Sequence, residues 1–247
     1  MKRFRWLIIS GILFLAISAM LYLAEIVIFH DPHSTFFYFF QDLAFVPIQV
    51  LLVTLIIHRL LNQREKRSRL EKLNMVIGAF FSEVGRDLLS FFSQGDPELE
   101  TIRKDLLVTN SWSDRKFDEM SGRLRKYDYG IGIHRIDLAS LRAFLLARRD
   151  FLLRLLENPN LLEHESFTEL LWAVFHLVEE LLFREDVKHL PDTDFAHIAV
   201  DIKRAYMLLV HEWLDYMKHL KENYPFLFSL AIRTNPFDQN ASPIVRS

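Results

Sequence analysis

Residues 6–29, WLIISGILFLAISAMLYLAEIVIF, run for 24 positions with a single charge, Glu25, and residues 43–61, LAFVPIQVLLVTLIIHRLL, form a second apolar run of 19. Roughly 20 apolar residues in a helix cross a hydrocarbon core of about 30 Å. The two runs are therefore read as transmembrane helices, and they set the fold class: all-α, an N-terminal two-helix transmembrane hairpin followed by a cytoplasmic helical bundle. The aromatic block Phe36-Phe37-Tyr38-Phe39-Phe40 before the second run either extends that span or lies in the interface. A cleaved signal peptide is the competing reading of the basic start. The first run is longer than the usual apolar region of about 7–15 residues, and a second span follows it.

Charge orients the hairpin. Lys2, Arg3 and Arg5 precede the first run, Arg59 and Arg64 to Lys72 close the second, and no Lys or Arg occurs from Trp6 to His58. Positive charge at both outer ends and none in the connection places both termini in the cytoplasm, in a plasma (inner) membrane protein. Arg64, Lys66, Arg67, Arg69 and Lys72 form a basic collar read as contacting anionic lipid headgroups, an attraction of about 1 kcal/mol per basic residue near the surface.

The whole-chain figures conceal this division. Over 247 residues the hydrophobic fraction is 51%, but the first 61 residues are markedly richer than the rest, which has the composition of a soluble domain. With 7 Gly and 8 Pro the chain lacks the turn chemistry of an all-β fold. Zero Cys removes disulfides, thiolate metal sites and Cys nucleophiles, which leaves His and carboxylate as the available metal ligands. A net charge of −2 with no wide basic face gives no support for a nucleic-acid partner.

Neither Pro nor Gly occurs between Pro47 and Gly78, so the second span can leave the membrane as one continuing helix. Over 62–93 it becomes a juxtamembrane helix with Leu70, Leu73, Ile77, Phe80, Val84, Leu88 and Phe91 at three- and four-residue steps. Residues 94–232 read as the bundle: a short helix from Asp96-Pro97, a charged one over 113–127, one capped by Asp137 and ending at Asn158-Pro159, one over 165–184, and one from Asp192 or Thr193 to Tyr224. The stripe Phe195, Ile198, Ile202, Tyr206, Leu209, Trp213, Met217, Leu220 has steps close to a coiled-coil seam. Residues 233–247 read as a disordered tail.

Two groups of residues carry chemistry. At the outer end of the hairpin stand Glu25, His30, Asp31, His33 and Asp42, ionisable groups in or beside a span, which are costly there and become functional candidates by default. Their imidazoles and carboxylates suit a divalent metal or a pH-sensing loop, against the simpler reading of a wetted turn. In the bundle, His176 with Glu180 has the i, i+4 spacing that puts two ligands on one helix face. His197 with Asp201 and His211 with Asp215 share the spacing, but a single-helix projection puts them opposite the Phe195–Leu220 stripe, as solvent-facing pairs. For His176 a structural hydrogen bond to a Glu is the simpler reading than a metal ligand. No phosphate-binding loop, nucleophile elbow or His-Glu-x-x-His helix occurs, so no catalytic residue and no enzyme activity is expected.

Three stretches carry a resemblance: DLAFVPIQVLLVT at 42–54, LEKLNMVIGAFFSEVG at 70–85, and DIKRAY at 201–206 with LFSLAIRTNPFD at 227–238. They resemble a group of uncharacterised prokaryotic two-span membrane proteins. The resemblance implies an integral membrane protein with a helical cytoplasmic domain and brings no activity, cofactor or site residue. The expected function is a membrane-anchored protein-interaction or signal-relay module that binds a protein partner or a second copy of itself. The alternative is a metal-binding bundle or membrane-interface protein holding a divalent ion.

Overall fold

The computed structural model describes residues 2–30, 32–159, 161 and 164–245, and for residues 2–8, 29, 32 and 66–72 the backbone alone. Among the described residues there is no strand. The all-α expectation holds. Two compact units divide at residue 66, and each is described by itself.

The N-terminal unit consists of α1 (Lys2–Phe29) and the first part of α2 (Pro32–Phe80). His30 ends α1 with its N–H on Ile26 O at 3.0 Å and its backbone at φ 54°, the left-handed conformation that commonly stops a helix. The aromatic block is helical, so α2 begins eleven residues before Leu43 and runs through Pro47 rather than starting there. Near the turn Tyr22 packs edge-on against Phe39, ring centroids 5.7 Å apart, and its hydroxyl points to Asp42 Oδ2 at 3.4 Å. By length and composition alone, Ile9–Ile28 and His33–Glu65 are each able to cross a membrane.

In the C-terminal unit α2 changes character. Leu73, Ile77 and Phe80 are buried while Met75 is exposed, so apolar contact narrows to one stripe. The helix does not break at Gly78. It widens into one π-helical turn, Phe81–Gly85, and resumes as α3 (Arg86–Gly95). Gly85 is required there: a Cβ would stand 2.6 Å from Cδ1 of Phe81.

Then follow α4 (Leu99–Leu106), α5 (Asp114–Leu124), α6 (Leu138–Leu156), α7 (Glu165–Leu182), α8 (Asp192–Asn223) and α9 (Pro225–Arg233). Asp137 caps α6 as expected, its Oδ1 accepting the N–H groups of Ala139 and Ser140 at 3.1 Å. Ser113 caps α5, and Nδ1 of His164 does the same for α7 by accepting from Phe167 N at 3.3 Å.

The long α8 is the hub, in contact with α3, α5, α7 and α9, while α6 covers the other side of α7. Ile198, Ile202, Tyr206, Leu209, Trp213 and Met217 are all buried by the unit's own helices. The seam-like stripe is therefore consumed inside the domain and is not an open coiled-coil face. The expectation of a disordered end from residue 233 is corrected for its first part. Phe237 is buried against Trp213, and the side-chain amide of buried Asn235 donates to Leu106 O at 2.8 Å. The Asn-Pro turn chemistry masked an aromatic anchor one residue further on.

Candidate functional site

The hairpin residues singled out from sequence are not gathered into a ligand set among the described residues. His30, His33 and Asp42 are exposed and Glu25 is half-buried, and Asp31 lies outside the described residues. What the turn does form is a cavity lined by Tyr22, Ile26, Thr35, Phe36 and Phe39, an apolar lining without metal-binding chemistry. Of the basic collar, Arg64 is exposed, and the side chains of Lys66, Arg67, Arg69 and Lys72 lie outside the described residues.

The bundle group assembles more than the sequence reading proposed. His176 and Glu180 sit one turn apart on α7, with His176 Nε2 3.7 Å from Glu180 Oε1. Across the helix pair, α8 brings His197 and Asp201 to the same place. His176 Nε2 lies 3.5 Å and His197 Nε2 3.4 Å from Asp201 Oδ2, and His197 Nε2 lies 3.5 Å from Glu180 Oε2. Asp201, expected to face solvent, is 4% exposed. The single-helix projection failed because α8 is packed on several sides, so its buried arc is wider than the one stripe.

Arg184, absent from the sequence reading, orders the group from behind. Its Nη1 donates to Glu180 Oε2 at 2.6 Å, and Nε and Nη2 form a bidentate fork on Asp194 at 2.7 and 2.6 Å. These hydrogen bonds hold the carboxyls of Glu180 and Asp194 below the usual carboxylate range and push the guanidinium up. The signal available in sequence was the matched pair of i, i+4 motifs, His176/Glu180 and His197/Asp201, on consecutive helices.

Elsewhere in the unit, polar groups are buried in structural roles. Tyr127 donates to Asp96 at 2.9 Å, and burial pushes the Asp96 carboxyl up. Arg123 pairs with buried Asp105 at 2.8 Å. Glu212, buried on α8, is likewise pushed up by burial. His211 does not pair with Asp215. It packs beside the Tyr129 ring, and burial followed by repulsion from Arg125 lowers its imidazole pKa.

Architecture and composition together define the class: an all-helical protein with an apolar N-terminal helix pair and a separate C-terminal helical domain. The chain belongs to the MJ1433 family. Residues 2–61 match the family's "N-terminal helical domain" and residues 69–233 its "C-terminal helical domain". It is 48% identical over 237 residues to "Uncharacterized protein MJ1433" of Methanocaldococcus jannaschii, covering 96% of this chain and 95% of that one. No solved structure matches the chain.

Proposed function

We propose that the chain is an integral membrane protein in which α1 and the first part of α2 form a two-span anchor, both termini face the cytoplasm, and the C-terminal domain serves as a non-enzymatic interaction or relay module at the membrane surface. The observation that carries this reading is the exposure of α2. Leu51, Leu52, Val53, Leu55, Ile56 and Ile57 are all exposed, so its apolar surface has no preferred face. A helix apolar on every side is covered by protein or by lipid, and this one is not covered by its own chain. The same helix goes on to place Leu73, Ile77 and Phe80 in the domain core, which gives a covalent and helical path between anchor and domain. Interaction is supported by Trp172 and Phe183, apolar side chains 58% and 79% exposed and three turns apart along one side of the α7 region.

The chain has no Cys, so single-cysteine variants report topology directly. In sealed vesicles of known orientation, an impermeant maleimide should label Ser34→Cys from the outer side and Asn110→Cys from the cytoplasmic side alone. Labelling of both from one side would overturn the two-span anchor. A photo-crosslinking residue at position 172 or 183 should give a discrete adduct in native membranes. Absence of an adduct at both positions would remove the interaction reading and leave the anchor.

A further inference from the structure

We infer that His176, Glu180 and Asp201, with His197 beside them, form a binding site for one divalent metal ion of the zinc class, which ties α7 to α8. The site is independent of how the chain meets the membrane.

Three observations converge on it. The first is spacing. Zinc bonds to imidazole nitrogen and carboxylate oxygen are about 2.0–2.2 Å long, so neighbouring ligand atoms around a tetrahedral ion stand about 3.3–3.6 Å apart. His176 Nε2 stands 3.7 Å from Glu180 Oε1 and 3.5 Å from Asp201 Oδ2, and one ligand atom from each of the three residues lies within 4.8 Å of the others. The two nitrogen–oxygen separations exceed the 2.7–3.2 Å expected of hydrogen bonds. Both approaches, which join ligands from two helices, are thus long for a direct hydrogen bond and close to the length that a shared central ion imposes.

The second is an orphaned atom. Asp201 is 4% exposed, and its Oδ2, which lies between the two imidazoles, is buried without a hydrogen-bond partner. A buried anionic oxygen that accepts no hydrogen bond is costly, and a bound cation removes that cost.

The third is charge and support. Arg184 pairs with both Glu180 and Asp194, while Asp201 is approached by Arg204, exposed at the rim with Nη1 3.9 Å from Asp201 Oδ1. The excess of negative charge suits a dication. By engaging Glu180 Oε2, Arg184 turns Oε1 toward His176, the arrangement in which an outer partner orients a metal-binding carboxylate. One imidazole and two carboxylates, with a second imidazole adjacent and no thiolate, favour zinc or a similar first-row ion over calcium or magnesium, which prefer all-oxygen shells. The His176 imidazole is about half exposed, so the ion can enter from solvent.

The experiment uses the full chain, purified in detergent and stripped with a chelator. Zinc titration by calorimetry should show one equivalent bound, and cobalt(II) should give the intense visible bands of a tetrahedral ion. Asp201→Asn, nearly the same shape without the charge, should abolish the stoichiometric binding while circular dichroism keeps its helical signature. Should Asp201→Asn fail to fold, substitution of the half-exposed His176, His176→Gln, provides the same test. Arg184→Gln, one shell out, should weaken zinc about 10–100-fold without removing it. The proposal is overturned by a wild-type chain that takes up no zinc, by an octahedral cobalt spectrum, or by a folded Asp201→Asn or His176→Gln protein that binds with wild-type affinity.

Discussion

Leu52 and Leu141 are the same residue in helices of the same chain, yet Leu52 is 52% exposed and Leu141 fully buried. The difference is one of period. Around Leu52 the apolar residues of α2 are continuous, with no polar face to orient the helix, whereas Leu141 belongs to a stripe on α6 shared with Leu138, Leu145 and Leu152. A stripe tells a helix which side to bury, and the C-terminal unit is built by satisfying such stripes against one another around α8. A continuous apolar surface gives no such instruction, and its natural cover is an apolar solvent. The two regions thus pose different solvation problems, and α2 passes from one regime to the other within a single helix.

The largest effect expected from this contrast is a paired truncation. Phe80 is fully buried and meets Phe81 and Phe167 edge-on. Phe80→Ala should cost the C-terminal domain about 3–5 kcal/mol, the usual range for emptying an aromatic site in a core. Leu52→Ala should change domain stability by less than about 0.5 kcal/mol, as for positions outside any packed core. Urea unfolding in detergent, followed by tryptophan fluorescence, measures both. Comparable losses from the two would show that the exposed part of α2 is packed on protein after all.

A charge sharpens the contrast from the other side. On the proposed two-span reading, Leu52→Arg should oppose insertion of the second helix by about 2.5–3.5 kcal/mol, the cost of Arg near the centre of a span. Met75→Arg, at a side chain 63% exposed on the same helix but inside the C-terminal unit, should leave both membrane association and stability near wild type. Extraction by alkaline carbonate reads the outcome. Equal behaviour of the two arginines would remove the distinction between lipid-facing and water-facing exposure along α2.

The division into two regimes was legible in the sequence because each has a distinct pattern: unbroken apolar runs before Arg64, three- and four-residue steps after it. The stops were legible too, since Pro159, Pro191 and Pro225 punctuate the bundle and Asp137 has the chemistry of a cap. What a linear reading missed depends on neighbours from other helices. The π turn at Phe81–Gly85 stands where the buried Phe80 and Phe81 rings pack against Phe167 and Tyr216, whereas at Gly78, the more conspicuous glycine, a Cβ would meet Tyr216 at ordinary contact distance. Asp201 looked solvent-facing because one helical wheel shows one stripe, whereas a hub helix buries several arcs. His176 and Glu180 were recognised from their own spacing, but their counterparts arrive only when α7 and α8 pack, and Arg184 only through its fork to Asp194.

The smallest expected effect separates the two regions by titration. His211 belongs to α8, beside the Tyr129 ring, where burial and then the nearby Arg125 charge lower its imidazole pKa. In the unfolded chain a histidine titrates near 6.5. A lowered folded-state pKa means that the folded protein binds fewer protons than the unfolded one as pH falls through that value. The stabilising contribution is therefore complete above the unfolded pKa and is lost on acidification. Asp96 and Glu212, pushed up by burial, act in the opposite direction, but they are present in both proteins of a wild-type and His211→Gln pair and so cancel to first order. Urea midpoints at pH 7.5 and 5.5 should accordingly fall further for the wild type than for His211→Gln. An equal fall would show that His211 meets water as freely in the folded domain as in the unfolded chain, and the polar interior of the C-terminal unit would then be closer in character to its surface.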